Sequence, residues 1–494
     1  MQKTLAEAPA KSAASPGPPR LDLSTKLFYG SDSVAFGVKD NGFSYLLLIF
    51  YNQVVGLSAA AVGLAIMLAM IFDAFLDPIV GQISDNLRTP WGRRHPFMYA
   101  AALPVAATYF ALWNPPHWSQ GALFFYLVGA AIIIRTFITF YEVPSSALSA
   151  ELTRGYDERT VLLSYRYFFG WIGGLSLNLI AFAVLLRPDA THKVGQLNPL
   201  GYARYGIVAA AVMFIAILVS AIGTHRHIPS FTVPPKRRLG LLAMAREMIS
   251  TWNHRSFLML TLSGLATSMA AGIVAAMNNY FNTFFWEFSA RQIAMFTAGV
   301  FASAILALAA TPMLSRRFGK RASAIGLIAL SVVIGVAPLL LRLANLFPPN
   351  HSLALLIIIF FTSITSTALG IGGSTMVSAM IADVVEDSEL KTGRRAEGLF
   401  FSASSLIAKA VSGVGVFAAG LILAAISFPH LAKPGHVAAP IIAHLAMVYV
   451  PIIIALYGIA LVLMLGYTIT RKGHLETLAR LAAKAELVAE GPLA

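Results

Sequence analysis

The stretch AAAVGLAIMLAMIFDAFLDPIVGQI, residues 59–83, carries two carboxylates, Asp73 and Asp77, inside an apolar run. A helix that crosses the hydrocarbon core of a bilayer needs ~20 mostly apolar residues, and this run is long enough. The i,i+4 spacing puts both acids on one helical face, one turn apart. Pro78 follows at once; it lacks an amide hydrogen and so frees a backbone carbonyl one turn earlier. Two carboxylates so close cannot both stay ionised cheaply unless a cation lies between them; otherwise one holds a proton. The segment therefore reads as a transmembrane helix with a site for a monovalent cation. The competing reading is structural: Asp77 caps a kink and Asp73 pairs with a structural arginine.

Runs of this kind recur along all 494 residues, of which 57% are apolar and 12% charged, with mean hydropathy +0.72. Soluble domains carry roughly 25% charged residues, so most of the surface is built for lipid. Twelve spans are expected, at 27–51, 59–83, 96–112, 121–150, 161–186, 205–223, 257–280, 292–315, 322–343, 353–385, 398–426 and 445–469. They are too long and too aromatic to alternate as barrel strands of ~10 residues, which makes this an all-α membrane protein. The absence of Cys excludes disulfides and thiolate metal sites. Residues 1–26 are polar and rich in Pro and Ala, and the first apolar run has full length, as expected of an uncleaved anchor.

The net charge of +14 does not point to nucleic acid, because of where the basic residues lie. Twenty-six sit in the two terminal segments and in alternate loops, in clusters such as Arg93-Arg94, Lys236-Arg237-Arg238 and Arg316-Arg317. The opposite loops hold six: Arg187, Lys193, Arg204, Arg291, Arg342 and Lys433. By the positive-inside rule both termini are cytoplasmic and the number of spans is even. The expected location is a cell inner membrane, multi-pass.

The longest hydrophilic stretch, His225 to Arg255, separates two groups of six spans. The expected organisation is an N-terminal tail at 1–26, a six-helix bundle at 27–223, a linker at 224–256, a second bundle at 257–470 and a C-terminal tail at 471–494. Trp91-Gly92-Arg93-Arg94 follows the second span, and Arg317-Phe318-Gly319-Lys320-Arg321 follows the eighth. Gly-basic turns at matching places suggest a duplicated six-helix unit.

A charge at the middle of a membrane helix costs ~2.5–3.5 kcal/mol even on the milder insertion scale. Asp73, Asp77, Arg135, Glu142, Arg166 and Lys409 all lie within spans; facing lipid, they would together cost about 15–20 kcal/mol. They must face an internal cavity or one another. Lys39 and Asp40 join them, although adjacent opposite charges also neutralise each other. Arg135 and Glu142, seven apart, share nearly one face, with Thr139 less than a quadrant away. Arg166 is within reach of Glu142 across a helix pair; for Arg135 a structural role is expected. Lys409 stands among serines and glycines that permit close helix packing, and is placed to pair across the two halves with the helix-2 acids. Asp383, Glu386, Asp387 and Glu389 are expected to form a charge latch with Arg394 and Arg395.

In its motifs the chain resembles the glycoside–pentoside–hexuronide:cation symporters. The resembling residues are Lys26-Leu-Phe-Tyr29-Gly30, Val54-Val55-Gly56-Leu57-Ser58, Asp73-Ala-Phe-Leu-Asp77-Pro78 with Trp91-Gly92-Arg93, Glu142-Val-Pro144, Ser164-Tyr165-Arg166-Tyr167, Asp383-Val-Val-Glu386-Asp387 and Lys409. They run in family order over most of the chain. The resemblance implies a major facilitator fold and cation-coupled solute symport. It assigns Asp73, Asp77 and Thr139 to the cation site, Glu142 and Arg166 to sugar binding, and Lys409 to the family's helix-11 lysine. Four positions depart from the pattern. The family's helix-1 Asp falls on Gly37, so that Asp40 replaces it only if the helix shifts. Two tryptophan positions near the sugar are Ser146 and Ser374, and a cation-site Asn is Leu76.

The expected function is symport of a glycoside, pentoside or hexuronide by alternating access, coupled to H+ in preference to Na+. A hard cation needs several oxygen ligands and Leu76 supplies none, whereas a proton needs one carboxylate. Excess base at Arg135, Arg166, Lys409 and Lys39 suits an anionic solute. The alternative is a lipid-like or steroid-like solute, since losing two tryptophans enlarges and greases the cavity. A membrane enzyme is not expected: there is no metal-ligand His cluster, nucleophile elbow or phosphate loop. The expected partners are a small solute and membrane lipid, with no nucleic acid and no cofactor beyond the coupling cation, in a monomer or weak oligomer.

Overall fold

A computed structural model describes residues 21–153, 156–231, 254–392 and 397–490. Helix α1 covers residues 23–54 as a chain of short segments, with wide π-turns at Gly42–Leu46 and Phe50–Val54. There follow α2 (Ala59–Asn86), α3 (His95–Leu112), α4 (Gln120–Leu152), α5 (Tyr156–Ile180) and α6 (Pro199–His225). The second half contains α7 (Arg255–Tyr280), α8 (Ala290–Phe318), α9 (Lys320–Leu343), α10 (Leu353–Thr392), α11 (Glu397–Ala425) and α12 (Ala439–Met464). Ten of the described helices are long and apolar enough to cross a membrane; α1 and the 18-residue α3 complete the twelve.

Three boundaries differ from expectation by six or seven residues. Helix α6 starts at Pro199, because Asn198 caps it through its side chain on Leu200 N at 3.1 Å. Helix α12 starts at Ala439 with a proline in its first turn, and α10 runs to Thr392, so its 40 residues span about 60 Å. The C-terminal segment contains a helix, α13 (Arg471–Glu490). Most of the expected linker, 232–253, lies outside the described residues, as do Arg394 and Arg395 of the expected latch.

The two halves pack by one scheme. In the first, α1 lies on α5 and α6, α2 on α4, and α3 on α4 and α6; adding six to each number gives the second. The Gly-basic turns obey the same symmetry. Gly92 and Gly319 both have positive φ, 74° and 79°, a backbone that favours glycine. Just after Gly92, Arg93 and Arg94 bind Glu151 at the end of α4, at 2.8 and 3.0 Å. Just after Gly319, Lys320 pairs with Asp383 near the end of α10, where Tyr467 and His474 also gather.

The halves pack against each other along α2 and α11, and a group of hydrogen bonds joins them at one end. At the ends of α1 and α7 remote from the chain termini, Tyr280 donates to Asn52 Oδ1 at 2.8 Å and Asn279 to the Tyr45 carbonyl at 2.6 Å. Gln53 donates to the Pro429 carbonyl at 3.0 Å and accepts from Ala432 N at 2.9 Å. Gln196 donates to the Phe288 carbonyl at 2.8 Å. Within the second half, Phe428 packs edge-on against Tyr280 and Phe284 beside these bonds. These hydrogen bonds lie at the end remote from the Gly92 and Gly319 turns.

Candidate functional site

Between these ends, α1, α2, α4, α5 and α11 bring the intramembrane charges together. Asp73 and Asp77 share the face of α2 turned to α4. Arg135 on α4 donates from Nη1 to Asp73 Oδ2 at 2.9 Å, and both side chains are sealed, 3% and 4% exposed. Thr139, one turn along α4, lies 2.8 Å from Asp73 Oδ1 and 3.1 Å from Asp77 Oδ1. A hydroxyl has one proton and two lone pairs. Thr139 therefore donates to one carboxyl, and a full hydrogen bond to the other needs a proton on that acid.

Lys409 reaches over from α11 to Asp77 Oδ2 at 2.8 Å. This pair joins the two halves. Unlike Asp73–Arg135 it is partly accessible, its side chains 25% and 26% exposed.

A second cluster joins α1, α4 and α5. Arg166 pairs with Asp32, which is fully buried and also accepts from Ser145 at 2.6 Å and Ser33 at 2.7 Å. Arg166 donates to Ser145 Oγ at 2.9 Å. The expectation that Arg166 pairs with Glu142 is thereby corrected: it meets Glu142 only at the backbone carbonyl, at 3.4 Å. The Glu142 carboxylate has no hydrogen bond or ion pair among the described residues, although it lies in the field of Lys409, Lys39 and Arg166.

Asp32 also replaces Asp40 as the helix-1 acid of the network. Asp40 is 54% exposed and lies 3.9 Å from Lys39, which is buried over the Phe36 ring. Nor is there room for an acid at Gly37: a Cβ there would come 2.0 Å from the Gly170 carbonyl on α5. The supposed excess of base is corrected too, since Arg135, Arg166 and Lys409 each have a carboxylate partner. Ser146 bonds within its own helix, to the Val143 carbonyl at 2.9 Å. Ser374 is exposed on α10, and no hydrogen bond or ion pair ties it to the cluster.

Asp32 is the functional candidate that the sequence reading missed. The signal was present: it is a carboxylate inside the first span and subject to the same insertion cost as the others.

Chemically, the site is three charge pairs, of which Lys409–Asp77 bridges the two halves, with the Glu142 carboxylate left over among the described residues. Residues 28–471 match the family described as MFS/sugar transport protein. An uncharacterized symporter of Synechocystis, sll1374, is 28% identical over 478 residues, covering 83% of this chain and 87% of that protein. The isoprimeverose transporter of Lactiplantibacillus pentosus is 26% identical over 404 residues, covering 81% and 80%. Among solved structures, a bacterial homolog of the human lysosomal transporter Spinster aligns with TM-score 0.61 and 13% identity, over 92% of this chain and 97% of that one; at that identity the likeness is one of fold.

Proposed function

The chain belongs to the MFS/sugar transport family, and from that premise we propose that it is a proton-coupled symporter of a glycoside, pentoside or hexuronide, with both termini in the cytoplasm of an inner-membrane carrier. It is a transporter of the major facilitator superfamily, not an enzyme, and a multi-pass membrane protein. Support for a sugar comes from relatives such as the isoprimeverose transporter. The observation that carries the coupling is the Lys409–Asp77 pair, partly accessible and made between the two halves.

In this reading Asp77 is the proton acceptor. While it is ionised, Lys409 ties α11 to α2. Protonation removes that attraction and leaves the ammonium nearest the unpaired Glu142. Solute hydroxyls then bridge Glu142 and the Arg166–Ser145 pair, replacing water on groups that would be costly to leave unmatched. Solute and proton together allow the halves to re-pair at the opposite end. One proton with a neutral solute carries one positive charge per cycle.

Uptake by cells expressing the carrier tests this, with a panel of radiolabelled glycosides, pentosides and hexuronides. At least one should accumulate, independently of sodium, and a protonophore should abolish accumulation. Asp77→Asn should abolish uphill accumulation. Uptake of none of the panel, or uptake that ignores the protonophore, contradicts the reading.

A further inference from the structure

We propose that Arg135 is a built-in cation that occupies the Asp73 half of the coupling site and so makes the carrier blind to sodium. The inference rests on reading the α2 acids as the coupling site, and adds which residue sets the ion. Asp73 has two carboxylate oxygens and both are engaged: Oδ2 by Arg135 at 2.9 Å, Oδ1 by Thr139 at 2.8 Å. The guanidinium is sealed against Asp73, stacked over the Phe43 ring with 4.8 Å from Cζ to the centroid. Its Nε is buried without a hydrogen-bond partner among the described residues. The group is thus placed against Asp73 at the cost of one unmatched donor.

The two tethered cations differ in what happens when the halves move. Lys409 and Asp77 belong to opposite halves, so this pair is exchangeable. Arg135 and Asp73 are on α4 and α2 of the same half, which pack together, and a guanidinium does not lose its proton in proteins. Asp73 is therefore neutralised throughout the cycle and Asp77 alone exchanges its partner. A sodium ion bound at Asp73 would lie about 4 Å from a fixed positive charge. At an effective dielectric of ~20, that weakens its binding by roughly a thousandfold. Removing the charge frees Asp73 Oδ2, and a glutamine at the same place adds a carbonyl oxygen of the kind hard cations accept.

Sodium itself is the probe, with no solute present. Binding of 22Na+ to purified full-length protein is measured in wild type, Asp73→Asn, Arg135→Lys, Arg135→Gln, Arg135→Ser and Arg135→Gln/Asp73→Asn, alongside melting in sodium against choline chloride. Wild type and Arg135→Lys should bind none at 100 mM. Arg135→Gln or Arg135→Ser should bind sodium at least tenfold more tightly than wild type and melt higher in it, and the double variant should lose this again. Sodium binding by wild type that Asp73→Asn abolishes would overturn the inference, as would folded Arg135→Gln and Arg135→Ser proteins that ignore sodium. If neither variant folds, Arg135 is scaffold and the inference is equally overturned. Protonophore-sensitive uptake by wild type is a separate readout, so sugar symport can stand or fall apart from this result.

Discussion

Cutting the buried pair between Asp32 and Arg166 should cost far more than its solvent-exposed counterparts, and the cost should be mutual. Asp32 is fully buried and Arg166 only 13% exposed. Removing one partner of such a pair destabilises by about 3–5 kcal/mol, because a charge is left uncompensated. In Arg166→Gln the Asp32 carboxylate keeps two hydroxyl donors, Ser145 and Ser33, which places the loss at the lower end, about 3 kcal/mol. In Asp32→Asn the guanidinium keeps Ser145 and a long contact to the Glu142 carbonyl, so a loss of about 3 kcal/mol is again expected. The double variant has no buried charge there and two amides able to bond each other and Ser145. It should lose no more than about 3 kcal/mol in all, an interaction energy of about 3 kcal/mol at the upper end of measured couplings. Equilibrium unfolding in mixed micelles gives all four corners of the cycle. Additive losses, agreeing within ~0.5 kcal/mol, would show that the two residues do not act as a pair.

Glu142→Gln removes a carboxylate with no hydrogen bond or ion pair among the described residues, so unfolding should shift by less than about 1 kcal/mol while binding of the transported solute is lost; normal affinity would remove Glu142 from the site. Gly37→Ala puts a methyl 2.0 Å from the Gly170 carbonyl and should cost about 3 kcal/mol, the upper range for overpacking, read as lowered melting; an unchanged melting curve would refute that close crossing of α1 and α5. Tyr280→Phe deletes a hydrogen bond worth about 1 kcal/mol at the end where hydrogen bonds join the halves. Since the chain has no native cysteine, a Phe428→Cys reporter in this background should then label about fivefold faster from the side of the membrane opposite the termini; an unchanged rate would mean that the bond does not hold that end shut.

Much of the fold was legible because lipid imposes one rule on every span. The twelve apolar runs, the Gly-basic turns after α2 and α8, and the location of six charges inside helices all follow from transfer cost and the bilayer thickness. The pairing of Lys409 with a helix-2 acid was legible too, from the small residues around it on α11. The remaining pairings were not: periodicity puts Asp73 and Asp77 on one face of α2 but does not say that Arg135 arrives from α4. Glu142 and Arg166 carry opposite charges and lie on helices adjacent in sequence, which made them natural partners. The register of α1, set by Gly37 against Gly170, brings Asp32 to Arg166 instead. Asp32 lies inside the first apolar run, so counting every charge within a span would have found it. Asp40 was favoured for its nearness to Gly37 in the chain, yet three residues along a helix turn a side chain by about 300°.

The most direct test of proton-coupled sugar symport is the pH outside proteoliposomes containing the purified carrier, in sodium-free potassium buffer with valinomycin. Adding the transported glycoside should alkalinise the medium at once, in step with solute entry, and a protonophore should abolish the signal. Asp77→Asn should give none. Solute entry that requires sodium and leaves the external pH unchanged would contradict proton coupling outright.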